Sequence, residues 1–547
     1  MALAPYTVTA LAESDAGGTG GKNIVSGAVI TLTDVNGAVA NIYDDSVGTN
    51  PSTAKTTNTN GQRVIYAEAG QYTLTVNGTS STVIIGADKG TTAFLISSTR
   101  GYQDGDTVET TGYTTPGDGG AGQWKATSTT GLTPSQTPAA RGDGTLVDGS
   151  GRLWEIVGGV AAFDIVVGVP SRFASAQDAI EYFHNKVFFV NEKRLTVNWE
   201  TGFAPVDGVR CVDGDYSYIS ITSDDAVVTV DPSFPSSENM FTVVRGDGVK
   251  LEALVDMNDL GSNGLSLSRF ASMDVDPGCG ITNARLEGAA VYRGSVLNID
   301  EGVLSYSGGF NVRASNSSNI SCQLADLRGG NKDAIFLAAN YSRRASSINA
   351  QGADFSDTVG TAIGAHRTST FNAKDAIFNN ITEQAAFAQS GGQVCIQDAI
   401  FNNVRFICAA ETGGEIYGNG LTATGVYGPY AIDARESGRI FINGGNISGT
   451  SAAGSRGIRA TQGSSVFAVG VTISDFEQPF EANSSEINIT AADVSSGFTQ
   501  RATLVNGSII KASGTTTLNS ATSGNPDELD FNVSAFNTIY GAGIVWV

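Results

Sequence analysis

The hydrophobic positions of the chain recur with a fixed period from about residue 249 to residue 487. The phrase Asp-Ala-Ile-Phe-Asn-Asn occurs at 375–380 and again at 398–403, so the repeat is 23 residues long. Apolar residues alternate within each repeat, and Gly, Asn and Ser separate the apolar runs. Such alternation is typical of strands joined by turns. A period in the twenties predicts a solenoid, in which each repeat buries its apolar face on its neighbours.

The same phase extends through ten repeats that begin 22 to 28 residues apart. The expected first residues are Val249, Met273, Val296, Ile320, Ile348, Phe371, Val394, Ile416, Ile440 and Val466. No long amphipathic run without internal Gly occurs, which excludes a helical solenoid. The pattern therefore predicts an all-β fold whose central part is a right-handed single-stranded parallel β-helix about 50 Å long.

The pattern on the N-terminal side of the repeats predicts separate modules. Residues 1–22 end in a glycine run and are expected to form a flexible arm. Residues 23–96 contain short alternating runs with Asn-Gly at 36–37 and 77–78. Because Asn-Gly between alternating runs is typical of hairpins, an N-terminal β-sandwich is expected here.

The remaining boundaries follow from composition and from the end of the repeat. Residues 97–160 form a glycine-rich neck, and 161–190 contain a helix that Ser175 can cap. This helix is expected to cover the first rung of the β-helix, because the open edge of a parallel ladder needs a cover. The β-helix is expected over 191–486. The phase fades after this, which predicts a C-terminal β-rich trimerisation domain over 487–547.

Composition excludes several classes of partner. The chain has 32 basic and 54 acidic residues and a formal net charge of −22, which argues against nucleic acid. No apolar run approaches the roughly 20 residues of a membrane span, so no membrane insertion is expected. The N-terminal residues lead directly into polar sequence, and no secretory signal peptide is expected. The five scattered cysteines are predicted to be reduced core residues, with no metal site and no cofactor.

One candidate for chemistry is a column of two carboxylates within the repeated phrase. Glycosidic cleavage needs two carboxyl groups about 5 Å apart for retention, or about 6.5–9.5 Å apart for inversion. The repeat places Asp375 beside Asp398 on neighbouring rungs, about 4.8 Å apart. Two like charges at this distance favour the neutral form of one carboxyl, as a general acid requires. The alternative is a solvated or Lys374-paired corner, because Gly352 and Gly420 occupy the flanking rungs.

A second candidate is a mixed polar strip on the last strand of each repeat. If Ala365, Ala388, Ala410 and Ala434 point inward, the residues that follow them face outward on consecutive rungs. These outward residues are His366, Gln389, Glu411 and Arg435, and Asp433 lies two residues before the last of them. Ordinary surface charge pairing explains the strip without any function. The functional alternative makes Glu411 and Asp433 the acid–base pair. Arg435, His366 and Gln389 then bind the sugar.

Aromatic residues and two long repeats add detail to the second candidate. Tyr417, Tyr427 and Tyr430 are close enough in sequence to form a platform on which sugars stack. An insertion near 340–344 and another near 449–457 are expected to wall the two ends of a groove. Nearly isosteric changes of Glu411 and Asp433 are expected to abolish turnover and to leave the melting temperature almost unchanged.

The order of these modules resembles that of bacteriophage tailspike or tail fibre proteins with a pectate-lyase-like β-helix. The most specific segments are Gly-Tyr-Gln-Asp-Gly-Asp-Thr-Val through Gly-Asp-Gly-Gly-Ala-Gly at 101–122 and Asp-Gly-Asp-Tyr-Ser-Tyr-Ile at 213–219. The resemblance covers the whole chain in architecture and implies a homotrimer. It implies attachment to phage tail or baseplate proteins through the N-terminal domain, and a virion protein synthesised in the host cytoplasm. It assigns no catalytic residue, since the family shares no catalytic motif.

The resemblance and the candidate columns leave two functional hypotheses. In the first, the chain binds and depolymerises a bacterial surface polysaccharide such as a capsule, an exopolysaccharide or an O-antigen, and hydrolysis is favoured over elimination. In the second, the same rod is a receptor-binding adhesin or structural tail component that cleaves nothing.

Overall fold

The computed structural model describes most of residues 4–511 and two short strands beyond them. The residues outside the described structure are 1–3, 10, 14–21, 25, 35–36, 46–48, 60–61, 68–69, 86–94, 96–102, 112–120, 128–143, 149–151, 162–163, 185, 190–191, 332–337, 497–502, 506–507, 512–537, 540–541 and 546–547. The described chain is all-β with 2% helix, and it divides into two compact units. The first comprises Met1–Glu200 with Tyr218–Asp224, and the second comprises Thr201–Ser217 with Asp225–Val547.

The first unit begins with antiparallel strands, several of which contribute to one hydrophobic core. Ala4–Thr9 pairs with Gln62–Ala67, Leu11–Glu13 pairs with Lys22–Ile24, and a four-stranded sheet has the order Lys55–Thr56, Val29–Asp34, Gly70–Val76, Thr79–Ile85. Side chains such as Ile30, Leu32 and Ile65 are fully buried in this core. The predicted hairpin at 77–78 is present, because Asn77 and Gly78 adopt φ of 48° and 85° between the paired strands. Asn36 of the other Asn-Gly pair lies outside the described residues.

The expected flexible arm is partly a strand. Ala4–Thr9 belongs to the N-terminal core because Tyr6 and Val8 bury there, at 8% and 3% exposure. Alternation of Tyr6 and Val8 with polar neighbours is the period of a half-buried strand. The glycine run at 17–21 of the same arm lies outside the described residues.

The segment expected to be a glycine-rich neck contains an antiparallel sheet. Its strands have the order Thr145–Val147, Leu153–Ala161, Ala121–Thr127, Thr107–Thr111, and Val187–Phe189 runs parallel to the longest of them. Trp124, Trp154 and Ile156 are fully buried in it, so this part of the chain has an apolar core of its own. Most of the glycine run that starts at 117 lies outside the described residues.

The predicted helix is present at Ala176–Phe183. The Ser175 hydroxyl accepts a hydrogen bond from the Asp178 backbone N–H at 3.2 Å, which satisfies one of the free donors of the first turn. The buried face of the helix contacts the strand Leu195–Trp199, which lies in parallel between Ile165–Val169 and Ile219–Ser223. Its expected role as the cover of the β-helix stays a prediction.

The second unit is a parallel β-solenoid of about 14 turns. Sheet 1 has thirteen strands: Val209–Val212, Phe241–Val244, Asn263–Ser268, Glu287–Tyr292, Val312–Ser315, Asn340–Arg343, Ile363–His366, Gln384–Gln389, Phe406–Glu411, Tyr430–Ala434, Arg456–Thr461, Gln478–Asn483 and Thr503–Val505. Sheet 2 also has thirteen: Ser272–Asp274, Val296–Asn298, Asn319–Ser321, Ser347–Asn349, Thr370–Asn372, Gln393–Cys395, Glu415–Tyr417, Arg439–Phe441, Ser465–Phe467, Glu486–Asn488, Ile509–Lys511, Ala542–Val545 and Thr538–Ile539. The parallel β-helix that the repeat predicts is thereby confirmed, while its right hand stays a prediction.

The third face of the solenoid consists of two runs of strands, here called sheet 3. The first run is Val228–Thr229, Leu254–Asp256, Gly280–Thr282 and Val303–Ser305. The second is Ile377–Asn379, Ile400–Asn402, Thr422–Val426, Asn446–Gly449, Thr472–Ser474 and Asp493–Ser496. Single bridges at Asp326 and Asp354 connect the two runs, and Lys250–Glu252 is one more short strand of this unit.

The sequence phase matches the observed register of sheet 2 closely. Eight of the ten expected repeat starts are the central, inward residues of its strands, from Met273 to Val466. Val296 is one residue early, since the inward residue of that strand is Leu297, and Val249 precedes the first strand of this sheet. Beyond Ile487 the register continues for another described rung, because Ile510 pairs with Ile487, and the C-terminal domain over 487–547 stays a prediction.

Buried serines and glycines line the corner between sheets 1 and 2. Each member directly precedes a strand of sheet 2: Ser295, Ser318, Ser346, Ser369, Gly392, Gly414, Gly438, Ser464, Ser485 and Ser508. The Ser369 hydroxyl donates to the Ser342 carbonyl of the preceding rung at 2.7 Å and accepts from the His366 backbone N–H at 2.9 Å. Where glycine replaces serine, a Cβ at Gly414 would lie 2.3 Å from the Ala388 carbonyl oxygen. From Ser295 onward the members of this corner thus carry either a hydroxyl or no side chain, while Ala271 precedes the first strand of the sheet.

This corner predicts a stability effect for one hydroxyl. We expect Ser369→Ala to lower the free energy of unfolding by about 1–3 kcal/mol, because it leaves buried backbone groups without a partner. Ser347→Ala is the matched control, since the Ser347 hydroxyl bonds only the exposed Asn319 side chain at 2.6 Å. Denaturant unfolding of both variants measures the difference. Equal losses of unfolding free energy in the two variants would show that the buried Ser369 hydroxyl contributes no stability beyond that of an exposed one.

Candidate functional site

The Asp375/Asp398 column occupies a corner where the backbone is left-handed. The residues at this position on consecutive rungs are Glu301, Leu324, Gly352, Asp375, Asp398, Gly420, Gly444, Gly470 and Ala491, with φ from 53° to 71°. Left-handed backbone favours Gly, and Asp and Asn tolerate it better than most residues. The presence of Asp375 and Asp398 in a column that is otherwise rich in glycine is therefore explained by backbone conformation.

The two aspartates of this corner have separate polar partners. Asp375 accepts a hydrogen bond from the Gln351 amide at 2.9 Å, while Lys374 Nζ lies 3.9 Å from Asp398 Oδ2. Both carboxylates are exposed. The Lys374-paired corner weighed from the sequence is thus present, and it accounts for both residues without a reaction.

The mixed polar strip has the register that the alanine alignment predicts. Ala365, Ala388, Ala410 and Ala434 form one fully buried column of sheet 1. The outward residues beside them follow in order: His366 pairs with Gln389, Gln389 pairs with Glu411, and Arg435 continues the column. The strip therefore runs along sheet 1 at the rung spacing of about 4.8 Å.

Asp433 is the most buried charged group of the strip. Its side chain is 4% exposed, and its two oxygens accept hydrogen bonds from Arg459 Nε and Nη2 at 2.8 and 2.7 Å. Arg435 Nε lies 3.1 Å from the same carboxylate, and Arg435 also forms an ion pair with Glu411. Both Asp433 oxygens are thus occupied, which suits a residue that positions two arginines. Glu411 is the more exposed carboxylate, with 18% of its side chain accessible.

The three tyrosines expected to form one platform lie on different faces. Tyr430 belongs to sheet 1, whereas Tyr417 belongs to sheet 2, where its ring stacks on Phe441 at 5.2 Å between centroids. Tyr427 lies between sheets 3 and 1 and donates to the Ile381 carbonyl at 3.1 Å. The Arg459 guanidinium lies over the Tyr430 ring, 3.5 Å from the ring centroid. Tyr430 therefore belongs to the strip, and Tyr417 does not.

One expected wall of the groove is also corrected. Asn340–Arg343 is a strand of sheet 1 in register with Val312–Ser315, and the extra residues of that repeat precede it. Sequence spacing alone cannot say on which side of a strand an insertion falls. The other expected insertion does lie between strands, because residues 450–455 connect sheet 3 to sheet 1.

A second polar cluster lies on the same outward face and was missed by the sequence reasoning. Glu287 begins a strand of sheet 1, and it is 6% exposed. Its carboxylate lies 2.6 Å from Arg313 Nη2 and accepts a hydrogen bond from the Tyr292 hydroxyl at 3.2 Å. Burial raises the pKa of Glu287 to about 7, against the opposing effect of Arg313. The sequence feature that could have revealed this cluster is a single acidic residue, Glu287, at the start of an otherwise uncharged strand that ends at Tyr292.

Aromatic and basic side chains connect this cluster to His366. The Arg313 guanidinium lies 4.9 Å from the Tyr292 ring centroid, and the Tyr341 hydroxyl is 3.0 Å from His366 Nδ1. Arg343 pairs in register with His366 on the next rung. Burial, together with Arg367 and Arg343, lowers the pKa of His366 below its ordinary value. We call Glu287, Tyr292, Arg313, Tyr341, Arg343 and His366 the basic–aromatic cluster.

Two kinds of feature are missing from the part of the chain that the structure describes. Within it, no helix is long and apolar enough to cross a membrane. The described His, Cys, Asp and Glu side chains also form no group of three that could hold a metal ion. The five cysteines are free thiols.

No known protein-family model matches the chain, and no curated protein matches it in sequence. Solved structures that match in fold include the enzymatically active domains of tailspike proteins 2 and 4 of bacteriophage CBA120. Tailspike protein 2 shares 12% identity over 78% of this chain and 57% of its own, with a TM-score of 0.26. Tailspike protein 4 shares 16% identity over 78% of this chain and 52% of its own, with a TM-score of 0.21.

A third structural match is Pantoea stewartii WceF, a glycan biofilm modifying enzyme with a tailspike-like parallel β-helix fold. It shares 12% identity over 100% of this chain and 63% of its own, with a TM-score of 0.14. The present chain thus spans little more than half the length of the tailspike domains it matches. At these identities and TM-scores we base the function proposed below on the geometry of the chain itself, a parallel β-solenoid with a polar and aromatic strip along one sheet.

Proposed function

We propose that the chain is a phage tailspike that binds a bacterial surface polysaccharide along the outward face of sheet 1. The observation that carries this proposal is the unbroken register of polar side chains from His366 to Arg435 on consecutive rungs. A sugar chain is a linear array of hydroxyl groups, and a ladder of amide, carboxylate and guanidinium groups offers it partners at regular spacing. Homotrimer formation and attachment to the phage tail through the N-terminal domain belong to the same proposal.

Cleavage of the bound polysaccharide is the enzymatic form of this proposal. Glu411 is the carboxylate that can act as acid or base, because it is more exposed than Asp433 and sits beside Arg435. Asp433, which also fixes Arg435 and Arg459, supplies the second carboxylate that glycosidic cleavage needs. Asp375 and Asp398 are the second choice for a catalytic pair. The competing form is an adhesin, which the extensive ion pairing of these carboxylates favours.

We expect Glu411→Gln to lower the cleavage rate by about 10²–10⁴-fold, because glutamine keeps the shape but cannot exchange the proton. Glu436→Gln is the matched control, since Glu436 is exposed at the adjacent corner and bonds Thr412 at 2.9 Å. The measurement is the chain length of capsular or O-antigen polysaccharide after incubation, with circular dichroism to verify the fold. Unchanged polymer length with retained binding by the wild type would establish the adhesin and exclude the depolymerase.

A further inference from the structure

The basic–aromatic cluster carries more positive than negative groups, in a chain that is strongly acidic overall. Two guanidinium groups, Arg313 and Arg343, face a single carboxyl group, Glu287. The chain as a whole has a formal net charge of −22, which repels polyanions at long range. A local surplus of arginine on such a surface marks a place where an anion can still bind.

The two arginines differ in how completely they are paired. Arg313 forms an ion pair with Glu287 at 2.6 Å. Arg343 is half-buried, and its Nε donates to the Ser315 hydroxyl at 3.2 Å. Among the described residues, no carboxylate lies within ion-pairing distance of the Arg343 guanidinium. Its terminal nitrogens are therefore the donors of the cluster that a ligand can use.

Glu287 occupies the position of a carboxylate ligand in the unbound chain. One of its oxygens pairs with Arg313, and the other accepts from the Tyr292 hydroxyl. A planar carboxylate matches the fork of a guanidinium group better than any other common anion except phosphate. Because a carboxylate already sits in this environment, a carboxylate is the anion that the cluster is shaped to take.

We propose that the basic–aromatic cluster binds the carboxylate of an acidic sugar residue, such as a uronic or sialic acid, and that Glu287 competes with it for Arg313. The inference rests on the function proposed above and names its substrate class. Arg343 makes the first contact, and Arg313 joins it when Glu287 is protonated. The substrate is then an acidic polysaccharide rather than a neutral one.

Competition by Glu287 gives the binding a pH dependence of defined sign. With a pKa raised to about 7, Glu287 is neutral below this pH and releases Arg313. Above it, Glu287 is charged, repels the ligand and holds Arg313. The other groups facing it are Arg343 on the rung beyond Arg313, Tyr292 on its own strand, and the uncharged Asn263 in register on the preceding strand. Near pH 7 the group of the cluster that changes its charge is therefore Glu287, and at lower pH it is His366.

The first experiment measures binding to an array of bacterial polysaccharides, half of them bearing glucuronate or sialate and half of them neutral. We expect binding to acidic members and loss of that binding after chemical reduction of their carboxyl groups to alcohols. Binding to neutral members alone, or unchanged affinity after reduction, would overturn the inference and leave the proposed function standing. Binding to no member of either class would count against the proposed function itself.

Variants of the cluster test its residues on the acidic polymer that binds. We expect Arg343→Met to weaken binding by about tenfold or more, because a charge-assisted pair is lost. Arg344→Met should change little, since Arg344 is exposed at the corner and its guanidinium contacts Asn316 at 3.3 Å. Arg343→Lys is a second variant in case the methionine variant fails to fold. Equal affinity of the Arg343→Met and Arg344→Met variants would contradict the assignment.

The pH profile separates binding from a merely structural role. We expect the wild type to bind about tenfold more tightly at pH 6 than at pH 8.5, since a neighbouring like charge shifts a pKa by about one unit or more. Glu287→Gln should bind tightly at both pH values, because the competing charge is gone. His366→Gln removes a member of the binding face and should lower both affinities, but it should keep the ratio between them because Glu287 is unchanged. A pH profile that Glu287→Gln leaves unchanged would refute the competition.

Discussion

Asp433→Asn is expected to lower the free energy of unfolding by about 3–5 kcal/mol, because it removes one partner of a buried ion pair. The Asp433 side chain is 4% exposed, and it pairs with Arg459, whose side chain is 17% exposed. Asparagine keeps the shape but removes the charge that pairs with the Arg459 guanidinium, whereas Arg435 keeps its ion pair with Glu411. Thermal and denaturant unfolding of the purified variant measure the loss.

This expectation replaces the one that the sequence supported, in which Asp433 faced solvent and could be changed at no cost to stability. The matched control is Asp398→Asn, the same chemical change at an exposed corner, for which we expect less than about 0.5 kcal/mol. The double variant Asp433→Asn with Arg459→Met should recover part of the stability, because no buried charge is left unpaired on that side. Similar stability of the Asp433→Asn and Asp398→Asn variants would exclude the buried ion-pair account.

Phe378→Ala is expected to destabilise the solenoid by about 3–5 kcal/mol through the cavity that it leaves. Phe378 is fully buried and stacks between Phe355 and Phe401, with ring centroids 5.0 and 4.8 Å away. Each rung of a solenoid contacts only its neighbours, so a cavity here weakens the coupling between the two halves of the rod. Denaturant unfolding followed by circular dichroism should show an earlier transition.

The adjacent residue provides the control for this change. Ile377 precedes Phe378 on the same strand but points outward and is 37% exposed, so Ile377→Ala should cost less than about 1 kcal/mol. The comparison keeps the strand, the rung and the backbone the same and changes only the face. If Phe378→Ala and Ile377→Ala unfold at the same denaturant concentration, the phenylalanine stack is not what stabilises these rungs.

The repeat was predictable from the sequence because the solenoid uses one position for one purpose on every rung. Met273, Ile320 and Phe371 differ in shape, yet each points inward at the centre of a sheet 2 strand. The alanine column that aligns His366 with Gln389 was predictable for the same reason. Periodicity therefore predicts whether a residue points inward or outward on its own rung.

Burial on the outward face was not predictable, because it depends on neighbours of different length on adjacent rungs. Asp433 and Glu287 both point away from the core, and both are covered by arginine and tyrosine side chains. Alternation assigns Asp433 to solvent, and it assigns Glu287 to the core, because Glu287 has the parity of the inward Ala289 and Val291. The prediction of an aromatic platform was wrong for a related reason. Tyr417 and Tyr430 are close in sequence, but the chain turns a corner between them and they lie on different sheets.

The serine and glycine column at the corner separates the part of each rung that maintains the rod from the outward-facing part of sheet 1. Backbone carbonyls at this corner are bonded by Ser369 or approached by Gly414 whatever the outward residue beside them is. Outward residues such as Gln389 are thus free to change without affecting the turn that follows them. Such a rod can change the outward side chains of sheet 1 by single substitutions, or by exchanging one whole rung for another, without changing the corner that holds the rungs together.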